Sequence, residues 1–136
     1  MITREDLENW LIRMGAEVEE VDDGMWVLRS PEQSGVPVVM HYSPPVVLLR
    51  LKVMDLPQDM DDARMAGFYR RLLVLNATDI VHGSYGIEGN DVLLSDALEL
   101  ETLDFHELRS SYESLLLAAS SHMQGLAALV PVAQET

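Results

Sequence analysis

Residues Leu72–Leu108, LLVLNATDIVHGSYGIEGNDVLLSDALELETLDFHEL, decide the fold. They read as the end of a helix, a tight two-stranded hairpin and the start of a long last helix. Gly89-Asn90 is the hairpin loop, because both residues accept the positive φ that two-residue hairpin turns demand. That loop sets a register in which Glu88 faces Asp91, Ile87 faces Val92, Tyr85 faces Leu94, Gly83 faces Asp96 and Val81 faces Leu98. Side chains alternate across a strand, so Val81, Tyr85, Ile87, Val92, Leu94, Leu98 and Leu100 share one apolar face. The other face, His82, Ser84, Gly86, Leu93, Ser95, Ala97 and Glu99, is smaller and more polar. One register satisfies both strands. Asp96 falls on the apolar face, where an unpaired carboxylate is costly, so it is expected to find donors or to lie at the sheet margin.

Downstream, Asp104 caps a third helix, Glu107 stands three residues on as in a capping box, and Leu103 can staple to Leu108. Phe105, Leu108, Tyr112, Leu115, Leu116, Ala119 and Met123 line one side of that helix. Gly125 and Pro131 weaken its end, and residues 131–136 are expected to form a frayed tail after a single domain over residues 1–130. Upstream, Asp59, Asp61 and Asp62 open a second helix, where carboxylates meet the positive end of the dipole. Its stripe is Met65, Phe68, Tyr69, Leu72 and Leu73, with Asn76 at the exit.

Further upstream, Val36–Tyr42 and Val46–Met54 alternate as strands around a Pro44-Pro45 turn. Val47, Leu49, Leu51 and Val53 form one apolar face of the second, while Val46 and Leu48 make the opposite face apolar at one end. Such a strand is expected to be central and covered there on both faces. Glu17–Asp22 and Met25–Ser30 are two short strands around Asp23-Gly24, in either of two loop lengths. Pro31–Gly35 is a polar connection. Thr3 caps a first helix with Asp6 in reach, Leu7, Trp10, Leu11 and Met14 are its stripe, and Gly15 ends it. The order is α-β-β-β-β-α-β-β-α: an α+β domain, an antiparallel sheet with three helices packed on it.

Composition narrows the function. At 136 residues and 48% apolar content the chain can bury a core, and no apolar run is long enough to span a bilayer. With no cysteine and no apolar leader behind a positive start, a cytoplasmic location is expected. Against 23 acidic residues stand 9 basic ones, a net charge of −14. Nucleic-acid binding needs a cationic stripe and an anionic membrane repels such a chain, so neither partner is expected. Arg64, Arg70 and Arg71 read as a solvated helix face. A protein surface or a small molecule remains.

No catalytic, cofactor or metal site is legible. His41, His82, His106 and His122 lack ligand spacing. Asp59-Met60-Asp61-Asp62 lacks the bend glycine and closing glutamate of a calcium loop. Ser84 in His82-Gly83-Ser84-Tyr85-Gly86 is neither centred between glycines nor placed at a strand-to-helix turn. Gly83, Gly86 and Gly89 precede a strand and not a helix, so they are no phosphate cradle; they thin a strand for close approach. The expectation is a non-enzymatic protein.

The stretch Arg70–Glu107, RRLLVLNATDIVHGSYGIEGNDVLLSDALELETLDFHE, resembles the type III secretion chaperone-like fold, which includes Tir-chaperone (CesT-like) and YbjN-like proteins. Leu72, Leu75 and Asn76 match the L-x-x-L-N helix exit of that pattern, and Val92–Leu100 match the strand before its last helix. Four strands before the second helix exceed the number in the secretion chaperones. The resemblance implies a homodimer, without cofactor, that holds an extended segment of a client protein along apolar grooves and partly by strand addition. The alternative it implies is a YbjN-like regulatory or small-molecule-sensing domain without a client. Met65, Phe68, Tyr69 and Leu72 are the expected dimer or partner interface, with Gly67 allowing close approach.

Overall fold

The structure is a computed structural model that describes residues 1–31 and 36–131. Its elements are α1 (Arg4–Arg13), β1 (Glu17–Asp22), β2 (Met25–Arg29), β3 (Val38–Ser43), β4 (Val46–Asp55), α2 (Asp62–Thr78), β5 (Ser84–Glu88), β6 (Asp91–Glu99) and α3 (Phe105–Ala127). This is the expected α+β order. The sheet is antiparallel throughout, with strands in the order β1-β2-β3-β4-β6-β5. β4 and β6 lie beside each other because α2 spans the connection between their hairpins.

Local chemistry accounts for the boundaries. Thr3 and Asp6 form a reciprocal capping box at α1, and Asp61 and Asp104 accept the free N–H groups of Arg64 and Glu107 at α2 and α3. α1 stops where Gly15 takes a φ of 74°. Asp22 pairs with Met25, so the first hairpin has the two-residue loop Asp23-Gly24. Ser43 pairs with Val46, which puts Pro44-Pro45 in the next turn, where their missing N–H groups cost no ladder bond. α3 runs through Gly125 to Ala127, with Leu126 buried on its inner side. One glycine weakens a helix by only about 1 kcal/mol, which burial of Leu126 offsets. Residues 32–35 of the expected polar connection and 132–136 of the expected frayed tail lie outside the described residues.

All three helices lie on one side of the sheet. Leu7 and Leu11 of α1, Phe68, Leu72 and Leu75 of α2, and Leu108, Leu115 and Leu116 of α3 meet Trp26, Leu28, Met40, Val47, Leu49, Leu51, Val92 and Leu94 in one buried cluster. β4 is central, as its sequence implies, but the expectation that its apolar end is covered on both faces is wrong. Val46 and Leu48 are half-buried by their cross-strand neighbours, and no described helix crosses them. Ser43 and Glu99 flank Val46, and His41 and Ala97 flank Leu48, so neighbours across the sheet shield them sideways, which a single-strand pattern cannot show.

The hairpin register holds for Glu88, Ile87 and Tyr85, which pair with Asp91, Val92 and Leu94. It fails further out. β5 begins at Ser84, so Gly83 does not pair with Asp96, nor Val81 with Leu98; Val81 is 83% exposed. β6 continues alone against β4, with Asp96 opposite Leu49 and Leu98 opposite Val47.

Candidate functional site

The outer edge of β5 meets the exit of α2. Asn76 accepts a hydrogen bond from the Tyr85 N–H at 2.6 Å and donates one to the Tyr85 carbonyl at 3.2 Å. Its side-chain amide stands where another strand's backbone would stand, so part of the outer edge of β5 is already occupied. Just before β5, Gly83 lies against β6 on the other side. Its φ is 82°, and a Cβ there would collide with the Ser95 carbonyl, so among the described glycines it is the one at which the chain comes closest to another backbone. Asp96 finds the expected donor: Ser111 Oγ, fully buried on α3, donates to Oδ2 at 2.6 Å.

A second network joins α2, β5 and α3. His122 Nε2 lies 3.1 Å from Asp79 Oδ2, and Nδ1 lies 2.7 Å from the Tyr85 hydroxyl. A carboxylate only accepts, so Nε2 carries the hydrogen, and in the neutral ring Nδ1 accepts from Tyr85. Burial, and then the charge of Asp79, pushes the Tyr85 phenol well above its ordinary value. The Thr78 hydroxyl first and His122 second hold the Asp79 carboxyl below the usual range. This Asp-His-Tyr row was not legible in the sequence, because its members stand 43 and 37 residues apart along the chain from His122. It ends on a buried phenol and so lacks an exposed nucleophile; its chemistry is that of a clamp.

The candidate residues of the sequence stand apart among the described residues. Ser84 is exposed, and no hydrogen bond joins it to His82 or any other acid or base among the described residues. No three metal-ligating side chains converge among those residues. A cleft of about 490 Å³ between the end of α1 and α3 is lined by Met14, Pro31, Arg109, Tyr112, Glu113 and Leu116, and its one carboxylate, Glu113, lies 4.0 Å from the Arg109 guanidinium in a pair along α3. The Tyr112 hydroxyl is buried without a hydrogen-bond partner among the described residues.

What the molecule presents outward is surface. Met25, Val27, Val39, His41, Leu48 and Leu93 are half-buried on the helix-free face of the sheet, with Arg50 and Lys52 among them. Arg50 is paired with Glu88, and Lys52 with Asp55 and Asp91. The expected interface residues of α2 separate. Phe68 and Leu72 are 1% and 4% exposed and belong to the core of the monomer, Met65 is half-buried, and Tyr69 and Leu73 are 40% and 68% exposed. The inner stripe runs through Leu75 instead. A helix resting on the margin of a sheet buries a narrower arc than one crossing its middle, which turns Tyr69 and Leu73 outward. Gly67 has nothing within 4 Å of a Cβ position. Arg64, Arg70 and Arg71 are exposed, as a solvated face requires.

Comparison with known proteins bears on these surfaces. A chain of the heterodimeric ExoU–SpcU complex from the type III secretion system of Pseudomonas aeruginosa superposes with a TM-score of 0.68 at 16% identity, covering 91% of this chain and 97% of that one. YbjN from E. coli superposes with a TM-score of 0.66 at 12% identity, covering 91% and 93%. A chain of the ExsC–ExsE complex gives 0.62 at 19% identity, covering 98% and 100%. At such identities these likenesses establish the fold. No curated protein sequence matches the chain. The family model CesT_Tir_1 matches residues 2–131, well beyond the stretch that carries the resemblance in sequence, and the chain therefore belongs to the CesT_Tir_1 family.

Proposed function

We propose that this protein is a non-enzymatic, cytoplasmic binding module that holds an extended segment of a client protein, in the manner of a type III secretion chaperone. The family membership supports this reading, and so does the composition of two neighbours, ExoU–SpcU and ExsC–ExsE, each a complex. The observation that carries it is the one-sided sheet: a half-apolar face free of helices, bounded by strand edges, is a surface on which extended chain can lie. The protein acts as a homodimer in this reading, joined through the outward side of α2 at Tyr69 and Leu73, with Met65 beside them. Phe68 and Leu72 serve from beneath, by fixing the helix.

A second reading, a regulatory or ligand-sensing domain without a client, draws on the likeness to YbjN. Affinity purification from the native host followed by mass spectrometry separates the two. One dominant exported protein, retained at stoichiometric level, is the expected result. Recovery of the protein with a bound metabolite and without any such client would replace the first reading by the second.

A further inference from the structure

The cleft between the end of α1 and α3 is graded from charge at its mouth to carbon at its floor. Arg109, Tyr112, Glu113 and Leu116 stand on α3 at the three- and four-residue spacings that bring side chains together on a helix. The Arg109 and Glu113 side chains are 44% and 66% exposed and form the mouth, whereas Tyr112 and Leu116 are buried and form the floor. Met14, at the end of α1, and Pro31, after β2, complete the lining. A volume of about 490 Å³ is that of a small-molecule site.

The polar groups of this cleft have capacity to spare. Arg109 and Glu113 lie 4.0 Å apart, beyond hydrogen-bond reach, so neither satisfies the other. The Arg109 guanidinium lies 5.4 Å from the centre of the Phe105 ring and donates to His106 Nδ1 at 3.3 Å, which holds it in place. Arg13 lies over the same ring at 3.9 Å. Two guanidiniums on one ring, in a chain of net charge −14, make this end of the cleft attractive to a carboxylate. Arg13 also serves the carbonyl end of α1, in whose last turn it stands. The dipole gives no such reason for Arg109, which stands near the N-terminal end of α3, where a cation is disfavoured. In the floor, the Tyr112 hydroxyl is buried with no hydrogen-bond partner among the described residues, and a ligand can satisfy it as donor or as acceptor.

We propose that this cleft binds a free α-amino acid with an apolar side chain. The ligand's carboxylate pairs with Arg109 and its ammonium with Glu113, so that neighbouring opposite charges on α3 meet neighbouring opposite charges on the ligand. Its side chain lies over Tyr112 and Leu116, against Met14. A carboxylic acid without the amino group leaves Glu113 facing an anion, and an amine without the carboxylate leaves the guanidiniums unanswered. This deepens the ligand-sensing reading and rests on it for a role in the cell. The cleft lies on the helix side of the sheet, away from the open face that the client reading uses.

The test is calorimetric titration of the intact protein with L-leucine, L-methionine and L-phenylalanine. The tightest of these is then compared with its analogues lacking the amino group or the carboxylate (isocaproate and isoamylamine in the case of leucine). Saturable binding of at least one amino acid is expected, with each truncated analogue about tenfold weaker. Glu113→Gln should erase the preference over the analogue without an amino group, and Arg109→Gln the preference over the analogue without a carboxylate. Tyr112→Phe should weaken binding severalfold while the thermal midpoint of the ligand-free protein stays unchanged, which a loss of packing alone would not do. Circular dichroism confirms that the variants fold. Absence of saturable binding by all three amino acids at millimolar concentration overturns the proposal. Truncated analogues that bind as tightly as the amino acid overturn it too, as does an affinity unchanged in both Arg109→Gln and Glu113→Gln. In any of these events, recovery of the protein from its host with a different metabolite keeps the ligand-sensing reading standing. Amino-acid binding in a protein recovered with a client and without any metabolite leaves the cleft assignment standing and overturns the ligand-sensing reading.

Discussion

Asn76 and Tyr85 are joined by two hydrogen bonds, one in each direction, between a side-chain amide and a strand backbone. The helix-exit asparagine of the L-x-x-L-N pattern therefore has a physical task. It ties the last turn of α2 to β5 and fills part of the edge that a further strand would use. Asn76→Ala should destabilise the domain by about 1–3 kcal/mol through the loss of two partly buried partners. Amide exchange at Tyr85 should speed up together with the fall in urea midpoint. Unchanged exchange at Tyr85 would mean that the amide does not protect this edge.

Gly83 and Gly86 should respond oppositely to alanine. At Gly83 the positive φ alone costs about 1–2 kcal/mol, and the collision with Ser95 adds to it. At Gly86, on the open face with no atom within 4 Å, alanine should be neutral or stabilise by up to about 1 kcal/mol. Equal urea midpoints for the two variants would contradict the placement of the chain at the start of β5.

The two buried tyrosines should also separate. Tyr85→Phe removes a bond to His122 and should cost about 0.5–1.5 kcal/mol at neutral pH. Tyr112→Phe removes a hydroxyl without a described partner and should change stability by less than about 0.5 kcal/mol. Burial raises both phenols in the folded state, so their contribution is fully present below the unfolded value near 10 and declines as pH rises through and beyond it. The wild type should lose stability steeply above about pH 10, and Tyr85→Phe should flatten that limb. At the acid end the sign reverses. The lowered pKa of Asp79 gives stability that is present above the ordinary carboxylate value and lost as pH falls through the folded one. Urea titrations across pH, with Asp79→Asn for comparison, test both limbs.

On α2, position decides the outcome of a charge. Tyr69→Glu/Leu73→Glu should leave the fold intact and convert a dimer into a monomer by light scattering behind size exclusion. Phe68→Glu should unfold the domain, because a carboxylate at a site 1% exposed costs several kcal/mol. A wild type that is monomeric at micromolar concentration, or a dimer that survives the double substitution, would remove α2 from the interface.

Sequence alone determined what depends on neighbours a few residues apart. The caps at Thr3 and Asp104, the acidic start of α2 over Asp59, Asp61 and Asp62, the turns at Pro44-Pro45 and Gly89-Asn90, and the pairing of Tyr85 with Leu94 all follow from local backbone chemistry and the two-residue period of a strand, whereas the choice of Asp61 as the cap and the two-residue length of the Asp23-Gly24 loop came only with the structure. Asp96 was legible as a residue in need of a donor, but not that Ser111 is the donor. Tertiary structure decided what depends on distant segments meeting. Only the placement of α2 at the margin of the sheet sends Phe68 inward and Tyr69 outward, since both satisfy the same helical stripe. Only the joining of β4 to β6 leaves Leu48 on an uncovered face and β1 on a free edge. Only the folded chain brings Asp79, Tyr85 and His122 together, for no periodicity links residues that occupy three different elements. Local propensity reads along the chain; burial and edge exposure are set by which elements arrive beside one another.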